Sequence, residues 1–198
     1  NLKHNRAHWL VIDKLGGQAA AASEARNMAP DVNDFNPADG KVIKQISTTA
    51  VPSNGWAHFV RRQDKGDLLG CGDNGALYRI DFSGTATALT PLPQAATSCK
   101  GLTWDAEEDM IYLGLSVGGG NKIGRVVRFK EGATTLEGDF TNLPCAANGL
   151  AITGGVLLMS CDGALTILRL DKNTGSSLGV HGTLTATGGM LNVGGTGG

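Results

Sequence analysis

The chain reads as short runs of alternating apolar and polar residues, broken by turn signals about every ten residues, which is the pattern of half-buried β-strands. The clearest stretch holds Cys99-Lys-Gly-Leu-Thr-Trp104, Asp109-Met-Ile-Tyr-Leu-Gly114 and Gly124-Arg-Val-Val-Arg-Phe129, then a Thr-rich segment closing at Leu143-Pro144. The same order returns as Cys145-Ala-Ala-Asn-Gly-Leu-Ala-Ile152, Val156-Leu-Leu-Met159 and Ala164-Leu-Thr-Ile-Leu-Arg-Leu170. Upstream lies a third copy: Pro52-Ser-Asn-Gly-Trp-Ala-His-Phe-Val60, Asp67-Leu-Leu-Gly-Cys71, Ala76-Leu-Tyr-Arg-Ile-Asp81 and Thr85-Ala-Thr-Ala-Leu-Thr90, with Pro91 and Pro93 as stops. Gly55, Gly101 and Gly149 mark the series, at steps of about 46 to 48 residues. A period of that size predicts one supersecondary unit repeated.

The third strands agree in detail, because Tyr78-Arg79-Ile80, Val127-Arg128-Phe129 and Leu168-Arg169-Leu170 each set one Arg between two apolar residues. Strand side chains alternate faces, so the Arg turns to the face opposite its two neighbours. Connections between second and third strands vary, from residues 72–75 through the long 117–123 to the tight Asp162-Gly163. At the N-terminus, Ala7-His-Trp-Leu-Val-Ile-Asp13 predicts a strand, residues 16–25 a short helix or a loop, and residues 31–47 two strands joined at Asp39-Gly40.

Repeated four-stranded units that cannot cover their own faces predict an all-β fold, a β-propeller of antiparallel blades. The expected division of residues 1–198 is a first blade with outer strands in 8–48, then blades at 52–93, 98–144 and 145–184, and a partial blade at 185–198. Ile152-Thr-Gly-Gly-Val-Leu and Ala186-Thr-Gly-Gly-Met-Leu191 support that last unit. About four visible blades predict a segment of a larger, six-bladed ring, with the rest on residues outside this sequence or on another chain.

Composition agrees with that reading, since 30 Gly against three Trp, two Tyr and five Phe suit tight turns better than helices. A net charge of −1 with scattered Lys and Arg argues against nucleic acid and against a polybasic membrane contact. The longest apolar run, 150–159, is broken at Gly154-Gly155 and is too short to span a bilayer of about 30 Å. The first residues lack the apolar centre of a signal peptide.

All four cysteines fall at corresponding points of the repeat: Cys71 and Cys161 end second strands, and Cys99 and Cys145 precede first strands. Antiparallel first and second strands bring the start of one beside the end of the other, so propeller topology selects Cys71 with Cys99 and Cys145 with Cys161 among three connectivities. Four buried free thiols are the alternative. Disulfides would imply an oxidising setting: extracellular, cell-surface or periplasmic.

Residues just before first strands would ring the mouth of the central channel: Asn54, Ser98, Lys100 and Asn148. The spelling Ala147-Asn-Gly-Leu-Ala151 resembles the first-strand motif of the gluconolactonase and strictosidine-synthase-like six-bladed propellers, which shade into NHL-type propellers. The resemblance spans residues 52–191 and implies a divalent cation, such as Ca²⁺, at the channel mouth, with Asn148 and less directly Asn54 as ligands. It further implies a cation-dependent lactonase or esterase. Against that, the intervening repeat carries Lys100, no Asp or Glu stands at this rim, and Asn-Gly before a strand is also an ordinary turn.

Other motifs reduce to structure. Gly70-Cys-Gly-Asp-Asn-Gly75 precedes a strand and opens no helix, so it reads as a hairpin turn rather than a phosphate cradle. His4 and His8 lack the Glu of a zinc-protease motif, His58 reads as a core or channel residue, and Asp105, Glu107, Glu108 and Asp109 read as a solvated hairpin. The expected function is a secreted binding or assembly scaffold without catalysis or cofactor, taking a protein partner or neighbouring subunit, with a small-molecule ligand as a further option. The alternatives are the cation-dependent hydrolase and an accessory subunit of an extracellular filament or complex.

Overall fold

In the computed structural model, the structure describes residues 7–12, 19–23, 31–35, 42–48, 56–62, 64–72, 75–89, 98–117, 123–161 and 166–183. Every regular element among them is a strand, and consecutive strands pair antiparallel in four sheets of four. Sheet 1 holds β1 (Ala7–Ile12), β2 (Ala19–Ser23), β3 (Asp31–Phe35) and β4 (Val42–Ser47). Sheet 2 holds β5 (Trp56–Arg62), β6 (Asp67–Gly72), β7 (Leu77–Asp81) and β8 (Ala86–Ala88). Sheet 3 holds β9 (Ser98–Asp105), β10 (Met110–Val117), β11 (Ile123–Phe129) and β12 (Gly138–Leu143). Sheet 4 holds β13 (Ala147–Thr153), β14 (Val156–Cys161), β15 (Thr166–Asp171) and β16 (Ser177–Thr183). The small-residue tract expected as helix or loop thus carries β2, which pairs with β1 and β3; pairing partners outweigh the weak strand preference of alanine.

The sheets stack through their first strands, β1 against β5, β5 against β9, and β9 against β13. The core therefore lies between sheets rather than within them. Between sheets 2 and 3 sit Val60, Leu69, Cys71 and Leu77 against Leu102, Trp104, Ile111, Leu113, Leu115 and Val127. Between sheets 3 and 4, Met110, Tyr112 and Val126 meet Leu150, Ile152, Leu157, Met159, Leu168 and Leu170. Alternation along β10 explains both clusters, because its odd residues pack backward on sheet 2 and its even ones forward on sheet 4. Ile46 of sheet 1 joins Phe59, Leu68 and Ile80 at the remaining contact.

The inner strands approach closely enough to require glycine. A Cβ at Gly101 would lie 2.9 Å from Leu150 Cγ and 3.1 Å from the Leu150 amide nitrogen, and one at Gly124 would lie 2.1 Å from the Cys145 carbonyl oxygen. Gly101 therefore holds its place in the repeat because β9 and β13 touch backbone to side chain. Gly55 lies outside the described residues, and register puts His58, not Gly55, at the equivalent point: His58 pairs with Cys71 where Gly101 pairs with Gly114.

Candidate functional site

Each first strand carries a β-bulge at the same register position. Pairing of β5 with β6 slips between Trp56 and His58, that of β9 with β10 between Cys99 and Gly101, and that of β13 with β14 between Ala147 and Gly149. The extra residues are Ala57, Lys100 and Asn148. A bulge leaves one residue unpaired and re-aims its side chain, so two of the expected rim residues occupy matching positions around the line of stacked strands. Lys100 and Asn148 are half-buried. Asn148-Gly149 is not a positive-φ turn: the positive-φ residues other than glycine among those described are Asp109 and Asn142. The Asn-Gly pair lies inside β13, and the bulge accounts for it. The backbone of Ser98 begins β9, whereas Asn54, the loop at 118–122 and residues 184–198 lie outside the described residues.

Lys100 acts on its neighbour across the stack. His58 is 2% exposed, and burial first, then the positive charge of Lys100, lowers its pKa from 6.5 to about 3. The imidazole is therefore neutral at physiological pH and belongs to the wall between β5 and β9. A cation beside Lys100 would meet repulsion, and among the described residues no group of three or more His, Cys, Asp or Glu could hold a metal ion. The donor set implied for a hard dication is not assembled by the residues described.

At the opposite end of the first strands stand two ionic clusters, each joining one sheet to the next. In the first, the Arg62 guanidinium donates twice to Asp67, at 2.7 Å each, and also to Glu131, which follows β11. Arg62 is 0% exposed. Arg79 reaches the same carboxylate at 3.5 Å, and Lys65 pairs with Asp109 at 2.6 Å. In the second, Asp105, at the end of β9, accepts from Lys172 at 2.7 Å, and Glu108 pairs with that ammonium at 2.8 Å. Burial works against the charged Lys172, but the hydrogen bonds and charges of Asp105 and Glu108 outweigh it and raise its pKa. The polarity is reversed: a cation on sheet 2 meets an anion on sheet 3, and an anion on sheet 3 meets a cation on sheet 4.

These clusters correct the reading of residues 105–109 as a solvated hairpin. Asp105 is 4% exposed. Asp109 turns through φ 52° and accepts from Trp104 Nε1 at 3.1 Å, with the Lys65 ion pair holding its carboxyl below the usual range. Nearby, Tyr112 is fully buried and its hydroxyl has no hydrogen-bond partner; burial raises its pKa to about 12. The third-strand arginines extend the same forward connection. Arg128 donates to the Lys172 carbonyl at 3.0 Å and to the Asn173 side chain, as Arg79 reaches Glu131.

The cysteine sulfurs lie at bonding distance in the pairs Cys71–Cys99 and Cys145–Cys161, with Cα separations of 6.2 and 5.5 Å. The second pair joins β14 to the residues entering β13 within sheet 4. The first crosses from β6 of sheet 2 to β9 of sheet 3, because Cys99 is part of β9 and not of a connection before it. Paired cysteines fit an oxidising compartment.

Four-stranded antiparallel sheets stacked through their first strands define the β-propeller class. No family model matches this chain, and no curated protein matches it. Among solved structures it is similar to the WD40 domain of Pan2 from Neurospora crassa, with a TM-score of 0.61 and 10% identity, over 89% of this chain and 49% of that one. That likeness shows the fold alone. The chain spans about half the length of this neighbour.

Proposed function

We propose that this propeller is an extracellular, cell-surface or periplasmic scaffold that binds a protein partner and has no catalysis of its own. The observation that carries the reading is the chemistry of the described bulge positions: Lys100 and Asn148 offer an ammonium and an amide where a hydrolase would need a metal set or a base and nucleophile. The neighbouring imidazole, His58, is buried and neutral, which withdraws it from proton transfer at a channel mouth. Two cysteine pairs support the oxidising location, and the fold shared with a WD40 domain supports protein binding. Ring completion by further blades belongs to the same proposal, since the neighbour is about twice as long.

The likeness of residues 147–151 to gluconolactonase-type propellers leaves Asn148 as the one described ligand candidate for a cation-dependent lactonase. Metal analysis of purified protein, together with lactone hydrolysis with and without chelator, decides between the two. The scaffold reading expects no bound cation and no chelator-sensitive turnover; stoichiometric Ca²⁺ with chelator-sensitive hydrolysis would overturn it.

A further inference from the structure

We propose that the adjacent bulges of β9 and β13 form an anion site that takes a carboxylate, held by the Lys100 ammonium and the Asn148 side-chain amide. Each of these residues is the one left out of its ladder, immediately before Gly101 and Gly149 respectively. A Cβ at Gly101 would lie 3.2 Å from the Gly149 carbonyl carbon, so the two bulges stand side by side where β9 packs on β13. Bulges recur where a strand re-aims a side chain for binding. Both side chains are half-buried, at the end of the first strands remote from the ionic clusters.

Charge sets Lys100 apart. Elsewhere among the described residues, each buried or half-buried cation is compensated: Arg62, Arg125, Arg128 and Lys172 pair with carboxylates, and Arg61 lies over the Phe82 ring at 5.1 Å. Lys100 has neither kind of partner among the described residues. The titratable group its charge acts on is His58, which is neutral and offers no counter-charge. A half-buried ammonium in that position has given up part of its hydration without return, and an anion beside it offsets the loss. One ammonium next to one neutral amide matches a single negative charge. The two oxygens of a carboxylate accept from both donors at once. A phosphate dianion would keep half its charge unmet, and the guanidinium fork that grips it is missing from these two positions. The scaffold reading bears only on the source of the carboxylate, an acidic side chain of the protein partner rather than a free organic acid.

Amide NMR titration of the full chain tests the site, with metal removed on a chelating resin and ionic strength held constant. The probes are propionate and a capped Gly-Glu-Gly peptide. The expected result is saturating shifts at the amides of Cys99, Lys100, Gly101, Asn148 and Gly149. Lys100→Met raises the midpoint about tenfold and Lys100→Arg restores it, as a charge-assisted contact requires. Asn148→Ala raises it about threefold, for one neutral hydrogen bond. Lys130→Met, at an exposed cation beside the first ionic cluster, leaves it unchanged. Circular dichroism checks each fold, and Lys100→Gln repeats the measurement if the methionine variant unfolds. A lower midpoint for the peptide assigns the carboxylate to a protein partner, and a lower one for propionate to a free organic acid. Shifts that stay linear to the highest concentration, or saturation that Lys100→Met leaves intact, overturn the site and leave the scaffold reading standing. Saturation that appears only after Ca²⁺ is added back overturns both, because the carboxylate then binds the cation and not Lys100.

Discussion

The contact of sheet 2 with sheet 3 and that of sheet 3 with sheet 4 share one geometry and use different chemistry. Both pack alternate residues of three strands and pin the strand ends with ions. The first seals a fully buried Arg62 among two carboxylates and adds a cysteine bridge across the gap. The second exchanges the charges, keeps its bridge inside one sheet, and brings backbones so close that Gly101 takes the place His58 holds in the first. The difference teaches that the repeat conserves where a strand-end contact forms, and not which partner carries which sign. Reversed polarity also disfavours wrong neighbours, because a sheet ending in Asp105 placed before Glu131 would set carboxylate against carboxylate.

The largest expected effect comes from breaking the buried ions. Arg62→Ala strands Asp67, itself 7% exposed, and should cost about 3–5 kcal/mol in urea unfolding. Lys172→Ala at the less enclosed cluster should cost about 2 kcal/mol. Equal losses would erase the distinction between the interfaces.

Removing the bridges sharpens it next. Replacing Cys71 and Cys99 by Ser, against the same change at Cys145 and Cys161, should cost about 3–4 and about 3 kcal/mol on loop-closure grounds, for separations of 28 and 16 residues. Hydrogen exchange separates the two more clearly than the totals: the first variant should lose protection in both β6 and β9, the second in β13 and β14 alone.

Mild acid should act first on the contact of sheets 2 and 3. His58 has a folded pKa of about 3, below its ordinary 6.5, so the unfolded chain takes up a proton over a range in which the folded chain does not. Its contribution is whole above pH 6.5 and is lost as pH falls from 6.5 toward 3, with about 3 kcal/mol of it going by pH 4 at about 1.4 kcal/mol per unit. His58→Gln should flatten this part of the stability profile measured in urea; an unchanged slope would assign acid sensitivity elsewhere. Smallest is Tyr112→Phe, which removes a buried hydroxyl with no partner and should leave stability unchanged or raise it by up to about 1 kcal/mol in thermal unfolding.

Sheets 3 and 4 were legible in the sequence because β10 and β14 write period-two alternation with apolar residues on both faces, and the cysteines sit at fixed points of the repeat. Sheet 1 was less so, since the alanines of β2 carry little strand preference and owe their conformation to partners on either side. The ionic clusters escaped because Arg62 and Glu131 lie 69 residues apart, and because Asp105 resembles any turn carboxylate until Lys172 is placed beside it. Trp104 was the available signal: an indole donor next to an acidic run needs an acceptor, and Asp109 supplies it. The bulges were hidden in another way, as Asn-Gly spells a turn and a bulge alike.

The bridge between Cys71 and Cys99 turns two consecutive sheets into a closed covalent loop that includes β7, β8 and the connection leading into β9. A protease that cuts this connection therefore severs the chain without parting it. The two pieces would run as one band on a gel without reductant and separate only when thiol is added, so a nick there leaves sheets 2 and 3 covalently joined.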